Sequence, residues 1–246
     1  VLPPMIGANW GYRRKGRLSV RHVEKKGKTL VGFREIDARF VADLAECHTV
    51  IPELGTRLPV LSALVDSLDA KRTIAQIEFI AGDGPMALVF RNLETLNESD
   101  TEKLKQFAID TGFAVYLQPG AVNSVAALWP LDTQLEFTIP KYDIRLAFKP
   151  LDFIQVNAGL NQKMIDQAIA MLDPQAGERV LDLFCGLGNF TLPLARTAAT
   201  VVGVEGEASL VARARDNAAL NKLGNVEFYA ADLAKDLSGE PWMQQG

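Results

Sequence analysis

The sequence predicts an α/β protein in which a Rossmann-like, doubly wound parallel sheet follows an α+β unit. Three observations carry this. Beyond residue 157, short apolar runs alternate with amphipathic stretches of helix length, the order that parallel βαβ units require. Val180-Leu-Asp-Leu-Phe-Cys-Gly-Leu-Gly-Asn-Phe190 reads as a buried strand entering a glycine-rich turn and a helix. Before residue 150 the apolar runs are strand-like and are separated by Gly, Pro, Asn and Asp clusters.

The elements follow in order. Residues 13–35 read as a hairpin with Lys26-Gly27-Lys28 at its turn. Period two puts Arg13, Lys15, Arg17 and Arg21 on one face of its first strand and Leu18 and Val20 on the other. A helix is expected over 58–68 and strands over 74–80 and 86–93, with Gly82-Asp-Gly-Pro85 turning between them. Ser99-Asp-Thr-Glu102 has the form of a capping box opening the next helix. Strands are expected at 114–117, 134–138 and 143–148, which places a boundary near Pro150: residues 1–150 as one domain, 151–246 as the next. Leu160, Met164, Ala168 and Leu172 recur every four residues, the spacing of one helix face. Strand 179–184, helix 189–199, strand 200–204, helix 208–220 and strand 226–229 complete a βαβαβ half. A doubly wound sheet normally has further strands, so the sheet is expected to be truncated.

Composition narrows the class. With 48% hydrophobic and 23% charged residues, the 246-residue chain can bury two cores. It shows neither a long uncharged apolar run nor a signal-peptide pattern, so a cytoplasmic protein without membrane contact is expected. Two cysteines, Cys47 and Cys185, do not make a disulfide framework. The net charge of −4 argues against a general polyanion binder, but residues 12–28 hold eight basic residues against the single Glu24. That stretch is +7 and the remainder −11. The Arg13, Lys15, Arg17 and Arg21 face suits phosphates, although a charged edge strand protected from aggregation has the same pattern.

The glycine-rich turn points to a nucleoside cofactor. Gly186 and Gly188 allow close backbone approach, and Glu205 closes the next strand, where a carboxylate can accept from both hydroxyls of a ribose. A dinucleotide fingerprint wants a third glycine or alanine where Thr191 stands, which disfavours a nucleotide-dependent oxidoreductase. Asp182, before the turn, can face the cationic methionine end of a sulfonium, so S-adenosylmethionine is the better match. Asp232, after the third strand, is placed to accept from an adenine amino group, or is a solvated loop acid.

Asp152-Phe-Ile-Gln-Val-Asn157, the helix opening Ala158-Gly-Leu-Asn-Gln-Lys-Met164, and Asp182-Leu-Phe-Cys-Gly-Leu-Gly-Asn-Phe190 resemble, in order and spacing, the cofactor motifs of the RNA uracil-5-methyltransferases. The resemblance covers essentially the whole chain and is greatest to the branch acting on 23S ribosomal RNA. It is smaller to the transfer RNA branch, which tends to have Asn where Leu187 stands. It implies a class I methyltransferase fold, S-adenosylmethionine as cofactor, and ribosomal RNA as partner with no obligate protein partner. It also implies cofactor contacts from Gln155, Phe184, Asn189, Glu205 and Asp232, beside Gly186 and Gly188. In the family a thiolate adds to carbon 6 of uracil so that carbon 5 can take a methyl group, and the base is flipped from its stack.

The resemblance is incomplete at both ends. The family's nucleophilic cysteine, in a Ser-Cys-Asn-Pro motif, and its base do not occur in these residues, so no catalytic residue is expected here and the chain alone is expected to be inactive. Cys185 belongs to the cofactor turn and reads as a small buried hydrophobe. The family's RNA-binding barrel and cysteine-rich segment are not expected among these residues. Cys47 resembles the last of four ligands to a 4Fe-4S cluster, a metal site only if the other three cysteines are present. A noncatalytic RNA-binding module on the same fold is the competing reading, and methylation of transfer RNA is the other substrate class.

Overall fold

The computed structural model describes residues 2–243, which form two compact units: 2–135 with 154–159, and 136–153 with 160–243.

The first unit runs β1 (Lys15–Val23), β2 (Lys28–Gly32), α1 (Pro52–Gly55), α2 (Leu58–Ser67), β3 (Ile74–Ile80), β4 (Ala87–Asn92), α3 (Glu98–Thr111), β5 (Ala114–Leu117) and β6 (Ala126–Trp129). Its six-stranded sheet has the order β2-β1-β3-β4-β5-β6. All pairings are antiparallel except β4 with β5, whose crossover is α3. Gly27, in the left-handed region at φ 60°, closes the 3-10 turn between β1 and β2. Alternation does what period two requires. Leu18, Ile77, Phe79, Leu88 and Phe90 share a core with Leu54, Leu58, Leu61 and Val65, and each such fully buried side chain stabilises by about 1.5–3 kcal/mol.

Two details differ from expectation. Residues 126–129 form a strand that the sequence did not signal. The start of α3 is capped by Asn97, not by Ser99: its side chain accepts from the Asp100 amide at 2.8 Å. Asn serves at an N-cap as well as Ser, and the extended backbone at Asn97 puts Ser99 inside the first turn.

The second unit holds the hairpin β7 (Glu136–Ile139) and β8 (Ile144–Ala147), then α4 (Ala158–Leu172), whose first two residues group with the first unit. β9 (Arg179–Leu183), α5 (Thr191–Leu194), β10 (Thr200–Glu205), α6 (Ala208–Leu220) and β11 (Val226–Ala230) follow. The last three strands make a parallel sheet ordered β11-β10-β9, one half of a doubly wound fold.

Residues 136–150, expected with the first domain, group by contacts with the second unit. The β7–β8 hairpin packs in the second unit because α6 binds the β8 backbone: the Asn217 and Asn221 amides accept from the Ala147 and Arg145 N–H groups, both at 2.8 Å. Those partners stand 70 and 76 residues apart in sequence, too far for local pattern to reveal.

The face of α4 is also corrected. Asn161, Ile165 and Ile169 are buried, whereas Met164 and Leu172 are exposed. Apolar residues lie on two adjacent faces, and the buried one starts at an asparagine. α5 is one turn, Thr191–Leu194, rather than the helix expected over 189–199. No helix among the described residues is long and apolar enough to cross a membrane.

Candidate cofactor site and basic sheet face

In a parallel sheet the strand ends on one edge form the ligand crevice. β9 ends at Leu183, β10 at Glu205 and β11 at Ala230, and the Glu205 carbonyl accepts from the Ala231 amide at 3.1 Å. The glycine turn, Glu205 and Asp232 therefore share one edge of the sheet.

The turn is held by its neighbours. Gly186 and Gly188 lie at φ 56° and 97°, the left-handed region that side chains disfavour. A Cβ on Gly188 would also stand 3.0 Å from Leu192 Cγ. The Gly188 N–H donates to the Cys185 carbonyl at 3.0 Å, and the Cys185 N–H to the Val204 carbonyl at 3.1 Å, fastening the turn to β10. The Gly186 N–H donates to Glu205 Oε2 at 3.1 Å and the Glu207 N–H to Oε1 at 3.2 Å. Glu205 is thus fixed by backbone on both oxygens, and each oxygen keeps a further lone pair for a hydroxyl of a ligand.

Phe184, a non-glycine residue at φ 61° and 74% exposed, precedes the turn. A left-handed backbone costs about 1–3 kcal/mol and clusters at ligand sites. An exposed aromatic held so is a stacking surface. Asp182 is partly buried and accepts from the Thr191 hydroxyl at 2.6 Å. Burial pushes its carboxyl above the ordinary range, and the Thr191 hydrogen bond opposes that. Such a group gains from a cationic partner.

Asn189 and Asn161 exchange two hydrogen bonds of 2.9 Å, which ties the turn to α4. Asn161 was not singled out in the sequence; a polar residue on the buried face of a helix was the available signal. Asp232 is exposed, its carboxylate accepting from the Ala234 amide and paired with Lys235 at 3.5 Å. Gln155 groups with the first unit, where its carbonyl accepts from Arg14 Nε at 2.9 Å. The second unit therefore gathers Asp182, Phe184, Gly186, Gly188, Asn189 and Glu205, with Asp232 on the same sheet edge; Gln155 belongs to the first unit.

Cys185 is buried, and its thiol is pushed up to about 12, first by burial and then by the Asp182 and Glu205 carboxylates. It stays protonated and is no nucleophile. Cys47 is partly exposed, and its N–H donates to the Gly55 carbonyl at 2.9 Å. Among the described residues no group of three or more His, Cys, Asp or Glu could hold a metal ion. One thiol does not fit a four-thiolate cluster, so no chemistry is derived through one.

On the first unit, Lys15, Arg17 and Arg21 share the sheet face opposite Leu18, as alternation requires. Arg13 precedes the strand, in single bridges to Val50 and Asn157. The face is less purely cationic than the sequence suggested. Arg17 is paired with Glu78 at 3.0 Å, and Lys26 and Lys28 both reach Asp43. The pairing register adds two residues that were missed. Ser19 lies opposite Gln76 and Gln76 opposite Arg91, while Arg34 Nε donates to Ser19 Oγ at 3.2 Å. Arg21, Arg34 and Arg91, all exposed, therefore join Arg17 on one face. Arg34 and Arg91 are remote from Arg17 in sequence; strand register brings Arg91 to the face and the bond to Ser19 brings Arg34.

A family model described as tRNA (Uracil-5-)-methyltransferase matches residues 32–239. A 23S rRNA (uracil(1939)-C(5))-methyltransferase RlmD of Xanthomonas axonopodis pv. citri is 61% identical over the whole chain, which covers 55% of that protein. The corresponding protein of Xylella fastidiosa strain 9a5c is 57% identical, again over the whole chain and 56% of its own length. The chain thus spans about half the length of these relatives. Among solved structures, a Pyrococcus abyssi tRNA (uracil-54, C5)-methyltransferase in complex with S-adenosyl-L-homocysteine has a TM-score of 0.70 at 18% identity, covering 92% of this chain and 57% of the other. That likeness shows the fold alone. By the family model, which matches most of its length, the chain belongs to the tRNA (Uracil-5-)-methyltransferase family.

Proposed function

We propose that the protein carrying this chain is an S-adenosylmethionine-dependent transferase that methylates carbon 5 of a uridine in 23S ribosomal RNA, in the cytoplasm. The observation that carries the cofactor reading is Glu205, whose two carboxylate oxygens are aimed by the Gly186 and Glu207 amides at the end of β10. A fixed carboxylate beside a glycine turn matches a ribose diol. Phe184 offers the adjoining aromatic surface, Asp182 the counter-charge for an ammonium, and Asp232 an acceptor for an adenine amino group. Gln155 is retained as a contact on the family resemblance. When bound, the cofactor supplies an electrophilic methyl group. The residues of this chain bind and orient it. The nucleophile that must add to carbon 6 is neither Cys185, protonated and buried, nor Cys47, on the other unit; these 246 residues alone are therefore proposed to form no product. The choice of 23S over transfer RNA is supported by the names of the relatives at 57–61% identity. The Arg17, Arg21, Arg34 and Arg91 face is the proposed contact for RNA phosphates, with Lys15 and Arg13 at its margin.

Binding of S-adenosylhomocysteine tests the cofactor assignment. By calorimetry on the full-length protein, Glu205→Ala should weaken binding by about 1.5–3 kcal/mol, the range for hydrogen bonds to a charged group. An unchanged dissociation constant in a folded variant would remove Glu205 from the site.

A further inference from the structure

We infer that Asn217 is a positioning residue for the cofactor turn: one buried side-chain amide on α6 ties the Leu187–Gly188 peptide to strand β8. The inference rests on reading that turn as the S-adenosylmethionine site and adds to it a residue that lies in no cofactor motif.

An asparagine amide has two N–H donors and a carbonyl acceptor. Asn217 has no exposed surface, so each group must find its partner inside the protein. Its Oδ1 accepts from the Ala147 N–H at 2.8 Å, and its Nδ2 donates to the Ala147 carbonyl and to the Leu187 carbonyl, both at 3.1 Å. Both donors are used. One side chain therefore imitates a neighbouring strand toward β8 and holds the glycine turn with its remaining hydrogen.

The Leu187 carbonyl and the Gly188 N–H belong to one planar peptide. Its N–H end is fixed by the Cys185 carbonyl at 3.0 Å and its oxygen by Asn217. Rotation of that plane would change Gly188, already at φ 97°, and move Asn189. Glu205 fastens the same turn through Gly186. Asn217 is thus a further fastening, from α6, beside those from β10 and α4.

The molecule contains a matched control. Asn221, the C-cap of α6 one turn beyond Asn217, makes the same two-bond clasp on Arg145, with N–H to Oδ1 at 2.8 Å and Nδ2 to O at 2.6 Å. Its other donor goes to the Asn217 carbonyl at 2.7 Å, within the helix. Asn221 docks the hairpin and does not reach the turn.

Asn217→Ala and Asn221→Ala are to be compared in the full-length protein by melting temperature, by titration with S-adenosylhomocysteine, and by hydrogen exchange at the Gly188 amide without ligand. Both variants should melt lower. Only Asn217→Ala should weaken binding, about fivefold, the change for one typical hydrogen bond, and only it should speed Gly188 exchange. Asn221→Ala should stay within about twofold of the parent on both counts. If Asn217→Ala does not fold, Asn217→Leu, which fills the space without bonding, takes its place. Equal effects of the two positions on affinity and exchange, or no effect of Asn217 on either, would overturn the inference. If the parent protein itself bound no S-adenosylhomocysteine, the cofactor reading would fall, and Gly188 exchange would still decide whether Asn217 holds the turn.

Discussion

At Asp182 a single side chain sets stability against binding. Its carboxylate is partly buried with the Thr191 hydroxyl at 2.6 Å, and burial pushes its pKa up despite that bond. Below the ordinary carboxylate pKa of about 3.9 both folded and unfolded chains carry the proton. As pH rises above it, the unfolded chain releases its proton before the folded one does. Stability therefore falls across the window from the ordinary value to the raised one and is flat beyond. Asp182→Asn keeps an acceptor for Thr191 and removes the charge. Without ligand it should melt higher than the parent at pH 7, with the difference closing toward pH 4, while binding S-adenosylhomocysteine several-fold more weakly. Thermal melts across that range check this; a difference independent of pH would mean that Asp182 carries no burial penalty. Phe184, exposed and at φ 61°, shows the same tension in its backbone. The acid, the turn and Glu205 were legible in the sequence because they follow one another along βαβ units. Asn161, Asn217 and Thr191 were not: their roles are hydrogen bonds to residues 28, 30 and 9 positions away, and polar residues in helical segments read as solvent-facing until burial is known.

Individual elements were legible where a local signal dominates. The β1–β2 hairpin formed with its turn at Gly27 and its apolar side inward, and the parallel strands fell within a residue or so of expectation. α4 was misread by one residue, about 100° of rotation, because apolar side chains occupy two adjacent faces; Ile165 and Ile169 are inside and Met164 and Leu172 outside. β6 lacked a signal because Ala126 and Ala127 have little strand propensity, so pairing with β5 decides it. Asp100 joins elements in the first unit. It is 1% exposed, and its carboxylate accepts from the Asp69 and Ala70 amides, both at 2.9 Å, in the connection between α2 and β3. Asp100→Ala strips two backbone donors of their partner and should cost about 1–3 kcal/mol, read by urea denaturation as a lower midpoint with an unchanged slope. A loss below about half a kcal/mol would mean that water replaces the carboxylate.

For the molecule as a whole, charge is divided: a basic strand pair with +7 over residues 12–28 in a chain of net −4. The structure moves the weight of that face. Arg17 is partly neutralised by Glu78, and Arg21, Arg34 and Arg91 extend it across four strands. If these three meet phosphates, their joint replacement by alanine in the full-length protein should lower the slope of log affinity for RNA against log salt by about 2, from roughly 0.7 per lost contact. An unchanged slope would leave the face a solvated one. The proposed nucleoside site and membership of the family both point to transfer of a methyl group to carbon 5 of uridine as the proposed reaction. The full-length protein, incubated with 23S ribosomal RNA lacking the modification and with methyl-labelled S-adenosylmethionine, tests it most directly once the RNA is digested and its nucleosides are separated. The label should appear in 5-methyluridine and be lost in Glu205→Ala at low cofactor concentration. Label on a ring nitrogen, on ribose or on another base, or none at all with a folded protein that binds the cofactor, would contradict it.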